Sequence, residues 1–463
     1  MDRFLLDLYQ ALGPDAVALG EAVPAAFCTD WSGAPPVRPR ALLRPRSTRE
    51  VAAALRICHA HRVPVVPQGG RTGLAGGAVP RADALAFSLD RMDAIEAVDA
   101  AAATLTAQAG ATLQAVQQAA EGAGLRFGVD LGARGTCQIG GNIATNAGGN
   151  GVVQFGMMRE QVLGLEVVLA DGTVLPMLRP MLKNNTGYDL KQFFIGAEGT
   201  LGVVTRAVLR LRPAPQELRT ALVALPDYPA AVALLQRLQA AFPGALAAFE
   251  LMWADFFTTS LAWLNQPSPL ALEHPLAVLV DVAGGDAAAL DAGLQAVLEQ
   301  AMEQGVAADA VIAQSQAQAR SLWRIREAPT QFPARMEPVN FDVSLPLADI
   351  GGFAERCVQA LAQRWPGHRT LRFGHLGDGN LHLTTDARSL PGLACVEAAH
   401  AVEGIVYALV EEMGGSVSAE HGIGTHKKPW LDASRTPQEV QAMRAIKRAL
   451  DPLGLMNPGK IFD

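Results

Sequence analysis

Three glycine-dense stretches within the first 205 residues constrain this chain more than any other feature. Residues 68–77, QGGRTGLAGG, hold five glycines between Gly69 and Gly77, directly after an apolar run (Val63–Val66) that reads as a short buried strand. Glycine admits positive φ and lets backbone approach a ligand closely, so successive N–H groups can converge on a phosphate, and such a density is costly for a plain turn. The stretch is neither a Walker A loop nor a Rossmann fingerprint, because it lacks GK[ST] and no two of its glycines are two apart. Gly140–Gly151 is a second such stretch, built of small residues and short amides, and Gly196–Gly202 is a third. Three loops of this kind imply one long ligand spanning them, most simply a dinucleotide. Gly454–Ile461 imitates a Walker A loop but lacks the Ser/Thr and contains Pro458, and no helix can follow it.

The chain has 463 residues, a length that suggests roughly three domains, and half of them are apolar. Against 45 Asp and Glu it carries 38 Lys and Arg, a net charge of −7, which argues against a nucleic-acid or anionic-membrane binder relying on a basic surface. The N-terminus lacks a signal-peptide apolar region, and no stretch approaches about 20 uninterrupted apolar residues. Cys28, Cys58, Cys137, Cys357 and Cys395 form no CxxC motif, so reduced, buried thiols in a cytoplasmic protein are expected.

Ser47 and Glu50 form an S-x-x-E capping box that should start a helix ending before Pro64. Asp171-Gly172 reads as the turn of a hairpin over residues 167–175, and Pro213 and Pro215 mark a boundary after a last strand at 200–212. Beyond it, strands at 218–225, 245–252 and 276–282 alternate with helices capped by Asp227 and Asp286. That alternation predicts an α+β layer with helices on one sheet face.

Residues 372–384, RFGHLGDGNLHLT, contain the strongest hairpin signal in the chain, Asp378-Gly379 flanked by apolar residues. A turn centred there sets Leu376 opposite Leu381 and His375 opposite His382. Opposed Cβ atoms lie about 4.5–5.5 Å apart, so both imidazoles could hold one metal. Glu420, in SVSAEHGIG, can complete a His₂Glu set with an open position. His421 then remains as an acid/base near neutral pH. Two half-exposed histidines on a strand pair are the plain alternative.

With glycine loops in one half and GHLGDGNLH and AEHGIG in the other, residues 35–463 resemble the FAD-dependent D-2-hydroxyacid dehydrogenases. That family includes D-lactate dehydrogenase, the glycolate oxidase flavin subunit and D-2-hydroxyglutarate dehydrogenase. The resemblance implies an α+β chain. A two-subdomain FAD-binding domain of the vanillyl-alcohol-oxidase (PCMH) type would be joined by a ferredoxin-like cap domain and a small C-terminal segment. The implied divisions are an N-terminal helical segment (1–34), the FAD domain (35–213), a substrate cap with the metal site (214–425) and a segment returning to the FAD domain (426–463). FAD would be contacted by Pro67, Gly69, Gly70, Arg71, Thr72, Gly73 and Leu74 around the pyrophosphate. Thr136, Gly140, Gly141, Asn142, Thr145, Asn146, Gly148, Glu198, Gly199, Val203 and Asn457 would complete its pocket. With no histidine at 67–77, the flavin is expected to be non-covalent.

The family's metal ligands fall on His375, His382 and Glu420, its base on His421, and a substrate-binding arginine on Arg326, with Thr330 one helical turn later. The metal is expected to be zinc, with manganese as the alternative. The implied reaction oxidises a D-2-hydroxyacid, D-2-hydroxyglutarate first and D-lactate, D-malate or glycolate otherwise. Electrons would leave to an electron-transfer flavoprotein, a quinone or a cytochrome. Asn340 and Thr384 depart from the dicarboxylate pattern, which commonly has lysine and asparagine there. A metal-dependent hydrolase and a non-catalytic FAD electron-transfer subunit stand as readings of other classes. The expected location is cytoplasmic, with a peripheral place at the inner membrane as the alternative, and a homodimer follows from base rates.

Overall fold

A computed structural model describes residues 2–392 and 394–462. The chain divides into two compact units. Everything up to Gly149, Phe155–Ala214 and Glu420 onward form the first, and Asn150–Gln154 with Pro215–Ala419 form the second.

The first unit holds two sheets. In one, β1 (Val17–Leu19), β2 (Ala41–Leu43), β3 (Val65–Gln68) and β4 (Leu85–Ser88) lie in the order β1-β2-β4-β3. The first pair is antiparallel and the other two are parallel. The 1–34 segment expected to be helical thus contributes a strand as well as its helix Arg3–Leu12. Helix Thr48–His61 buries Val51, Ala52, Leu55 and Cys58. Ser47 caps it by accepting the Glu50 N–H, but the Glu50 carboxylate takes the Arg46 N–H at 2.8 Å, so the capping box closes one residue further out than expected. The second sheet comprises β5 (Ile95–Asp99), β6 (Thr104–Gln108), β7 (Leu125–Phe127), β8 (Val162–Val168), β9 (Val174–Met177) and β10 (Val203–Pro213). Its path is β5-β6-β10-β8-β9, with β7 on β10. Gly172, at φ +83°, turns the predicted β8–β9 hairpin. One apolar core, including Phe87, Phe127, Leu165, Leu209 and Met456, joins both sheets.

Helix Pro437–Leu450 begins with a complete Thr436–Glu439 capping box. The chain then runs beside β3, with the Val65 N–H donating to Leu455 O and the Asn457 N–H to Val65 O, at 2.8 and 2.7 Å. Asp451 accepts the Leu455 and Met456 N–H groups and pins this return. Among the described residues no helix follows Gly454–Lys460.

The second unit is built on one antiparallel sheet of β11 (Glu217–Leu225), β12 (Leu246–Trp253), β13 (Leu276–Gly284), β14 (Asp309–Ile312), β15 (Pro338–Ser344), β16 (Thr370–His375) and β17 (Asn380–Asp386). Its order is β14-β11-β13-β12-β16-β17-β15. Helices cover both faces rather than the single face expected. Helices Ala254–Leu264 and Gln316–Arg326 pack with Leu222, Met252, Leu279 and Phe373, whereas Tyr228 of helix Tyr228–Ala241 stacks on Trp253, the neighbour that points the other way. β12 is buried along its whole length and β13 nearly so, the pattern of strands covered on both sides.

Four cysteines are buried as expected, and burial pushes the Cys58 and Cys357 thiols up to about 12. Cys395 differs, being exposed at the start of helix Cys395–Glu412. Among the described residues no helix is long and apolar enough to cross a membrane.

Candidate active site

In the first unit, β3 delivers Pro67 and then the glycine loop. No backbone N–H from Gly70 to Gly77 finds an acceptor among the described residues, which leaves a row of donors suited to an anion. Gly69 and Gly70 serve a purpose beyond the one expected. Neither Gly69, Gly70 nor Gly73 has positive φ; Arg71 (+58°) and Gly76 (+75°) do. A Cβ on Gly70 would stand 2.1 Å from Thr136 O and 2.7 Å from Cys137 Cα, and one on Gly69 3.2 Å from Gly141 Cα. The first two glycine stretches therefore press backbone to backbone, and Gly140 is likewise needed against Ala109. Arg71 donates to Gly69 O and lies 4.2 Å from the Phe27 ring centroid, and Gln68 donates to Phe27 O, so the N-terminal segment supports the loop.

Several pocket residues assigned from the resemblance have internal work. Thr145 Oγ1 donates to Gly141 O, and Asn146, at φ +50°, accepts the Arg159 N–H. Asn142 is buried and donates to Cys137 Sγ. Gly148 is buried, Val203 opens β10, and Thr72 and Leu74 lie along the glycine loop, Leu74 exposed. Glu198, at φ +51°, accepts the N–H groups of Ile423 and Gly424, both at 2.7 Å, and so clamps the turn that follows His421. Burial raises its carboxyl above the usual glutamate range despite those bonds. Gly199 packs on Pro67. Asn457 Nδ2 donates to Gly77 O and Glu198 O, tying the first loop to the third. Its Oδ1, with Gln68 Oε1 and Gln138 Oε1, is buried without a partner among the described residues. Orphaned acceptors beside unbonded N–H groups are what a ring-and-phosphate ligand would satisfy, so these residues fit FAD.

In the second unit, the hairpin register differs from the expected one. Phe373, not His375, faces His382, because Leu376–Asp378 form a 3₁₀ turn before Gly379 (φ +83°) and lengthen the connection. His375 instead opposes Glu250 on β12. The two imidazoles still share a face as diagonal neighbours, with ring centroids 5.4 Å apart. Each has a carboxylate behind it. His375 Nδ1 is 2.7 Å from Glu250 Oε1, and Asp342, fully buried and accepting from Asn380 and Ser418, stands opposite His382 on β15. Burial alone would raise the Glu250 carboxyl, but His375 and Arg326 hold it below the usual glutamate range.

Leu322 and Ile325 sink helix Gln316–Arg326 into the core, Trp323 donates to Asp281, and Arg326 ends the helix. Arg326 Nε donates to Glu250 Oε2 at 2.7 Å, Nη2 lies 3.4 Å from His375 Nε2, and the guanidinium sits over Phe373. Thr330 does not share this helix. Pro329 follows closely, and Thr330 is exposed with its hydroxyl donating to Glu327 O. Asn340 and Thr384, the two departures, are opposed in register, and Thr384 Oγ1 donates to Asn340 Oδ1 at 2.9 Å. Ala419 donates to Asp342 O, and the next residue, Glu420, belongs to the first unit, where it accepts the Gly149 N–H at 2.7 Å. His421 follows, ahead of the turn that Glu198 clamps. Glu250 and Asp342 were not singled out from sequence. For Glu250 the available signal was a lone acid inside an otherwise apolar strand, AAFELMW, whereas Asp342 alternates with Asn340 and Ser344 in VNFDVS and carried no such signal.

Residues 39–177 match the family described as "FAD binding domain", and residues 214–461 match "FAD linked oxidases, C-terminal domain". The chain is 41% identical to a protein of Xanthomonas citri pv. viticola named D-2-hydroxyglutarate dehydrogenase, covering 97% of both. It is 39% identical to the mitochondrial D-2-hydroxyglutarate dehydrogenase of Bos taurus, covering 97% of this chain and 83% of that one. The fold is that of p-cresol methylhydroxylase solved with substrate bound, at a TM-score of 0.79 and 16% identity over all of this chain and 96% of the other. The chain thus belongs to the FAD-linked oxidases, and it is a flavin-dependent oxidoreductase.

Proposed function

We propose that the protein oxidises a D-2-hydroxyacid to the 2-oxoacid, with D-2-hydroxyglutarate as the first candidate because the relatives reported above carry that name. Non-covalent FAD is held by the loops described, and His375, His382 and Glu420 hold a divalent cation, zinc or manganese. The carrying observation is the His375–His382 pair on one sheet face, backed by the buried acids Glu250 and Asp342, the usual surroundings of metal-bound imidazoles.

When bound, FAD supplies the hydride acceptor and the cation supplies Lewis acidity at the C2 hydroxyl. His421 takes the hydroxyl proton, Arg326 pairs with a substrate carboxylate, and two electrons leave C2 with its hydrogen. Thr330, assigned beside Arg326 by the resemblance, would have to release Glu327 O to take part. The electrons then pass to an external acceptor, an electron-transfer flavoprotein, quinone or cytochrome. We further infer a cytoplasmic homodimer whose functional divisions are 1–34, 35–213, 214–425 and 426–463.

A second reading, a monocarboxylate such as D-lactate, is favoured by the Asn340–Thr384 pair, which puts neutral groups on the sheet face that carries His382. Anaerobic titration of the bound flavin with D-2-hydroxyglutarate, D-lactate, D-malate and glycolate, before and after chelation, tests both. Bleaching by one acid that chelation abolishes and Zn²⁺ or Mn²⁺ restores supports the proposal. Bleaching indifferent to chelation removes the metal, and no bleaching removes the activity.

A further inference from the structure

We infer that Glu250 is a positioning residue that couples metal binding to substrate-carboxylate binding, an inference resting on the metal site proposed above. Its carboxylate is almost wholly buried and divides itself between two partners, Oε1 to His375 Nδ1 and Oε2 to Arg326 Nε, both at 2.7 Å. The contact is built into the sheet. Glu250 on β12 and His375 on β16 are directly opposed, so the backbone register sets their approach. Arg326 arrives from a helix fixed by Leu322, Ile325 and the Trp323–Asp281 bond.

A carboxylate is acceptor-only, so Oε1 requires a proton on Nδ1 of a neutral His375. That tautomer makes Nε2 the acceptor nitrogen, which Arg326 Nη2 approaches to 3.4 Å and where a cation would take over that contact, and metal-bound histidines are commonly fixed in this way. Oε2 meanwhile turns the guanidinium so that Nε faces inward and its planar stack rests on Phe373 at 4.7 Å. Among the described residues Nη1 has no partner, which leaves it for a substrate carboxylate. One buried acid thus holds a metal ligand and a substrate-binding cation in a common frame.

Glutamine at this position cannot serve both. Its amide N–H must face either Arg326, donor against donor, or His375 Nδ1, which then has to accept and so moves the imidazole proton to Nε2, the metal-facing nitrogen. The test uses full-length flavoprotein stripped of metal and titrated with Co²⁺ alone, without substrate, followed by the cobalt d–d absorption bands. Glu250→Gln is expected to weaken Co²⁺ binding about 10–100-fold, with flavin content unchanged. Steady-state kinetics on the reloaded enzyme should show a raised KM. Glu250→Asp, which keeps the charge on a shorter stem, provides an intermediate loss should the glutamine variant fold poorly. Arg326→Gln should raise KM while leaving Co²⁺ affinity within a few-fold, a split that a merely structural role for Glu250 would not produce. Both Glu250 variants binding Co²⁺ like the parent protein, with unchanged KM, overturn the inference. A parent protein that binds no Co²⁺ overturns the proposed metal site, and the inference with it.

Discussion

Gly70→Ala and Gly73→Ala separate the two jobs that glycine performs in the loop after β3. At Gly70 the new methyl would lie 2.1 Å from Thr136 O and 2.7 Å from Cys137 Cα, and relief requires the two backbones to part by about 1 Å. Neither can yield easily, because the Thr136 and Cys137 N–H groups both donate to Ala133 O and Cys137 O accepts from Leu113. Overpacking of this kind costs about 3 kcal/mol. For a unit of this size that lowers the melting temperature by roughly 6–12 °C. Gly73 meets nothing within 4 Å and has no positive φ, so alanine there should leave the flavin-free protein melting within about 2 °C of the parent, or slightly above it. Its methyl would nevertheless stand among the unbonded N–H groups, where a phosphate must come close, and FAD affinity should fall about tenfold or more. Calorimetry of deflavinated protein gives the first quantity, and absorbance-monitored FAD titration gives the second. A Gly70→Ala protein that melts with the parent refutes the packing account. A Gly73→Ala protein that binds FAD with unaltered affinity refutes the placement of the phosphates.

His421→Ala should lower turnover about 100-fold or more while flavin and metal content stay constant, and near-normal turnover removes its role as base. Asn340→Lys exchanges the neutral Asn340–Thr384 pair for a cation and should raise kcat/KM for D-2-hydroxyglutarate over D-lactate about tenfold; an unmoved ratio dismisses this position from substrate choice. Asp386 is raised by burial but held below the usual aspartate range by Arg388 and the Glu337 N–H. A lowered carboxyl stabilises the fold above its unfolded value, about 3.9, and that stability drains away as the pH falls toward the lower folded value. The urea midpoint of Asp386→Asn should therefore start lower than the parent's at pH 7 and decline less steeply below about pH 5. Parallel curves contradict this.

The placing of the glycine stretches and the composition of the histidine hairpin were legible from local sequence, since density and turn chemistry are local properties. What escaped depended on partners far along the chain. Gly69 and Gly70 are small because residues 136–141 press on them, not because of their own φ. Glu250 lies 125 residues from His375, and nothing near it announces which strand will lie alongside. The Asp378-Gly379 pair was read as a two-residue turn, and the additional 3₁₀ turn moved His382 opposite Phe373. Diagonal proximity preserved the imidazole pair even though the register was wrong. Continuing the helix through Thr330 failed for a reason visible beforehand, since Pro329 disfavours helical backbone at Ala328.

The return of Leu455–Asn457 to the side of β3 sets an order of events during synthesis. Val65 leaves the ribosome early, yet the partners that bond its N–H and carbonyl are translated only after the whole of Pro215–Ala419. The nascent second unit has every strand of its sheet before β3 receives its last neighbour. Asn457, which braces Gly77 and Glu198, arrives later still. The flavin cradle therefore receives its last braces only after the whole of Pro215–Ala419 has been translated, so a change that truncates the chain before Leu455 removes the partners of Val65, Gly77 and Glu198 together.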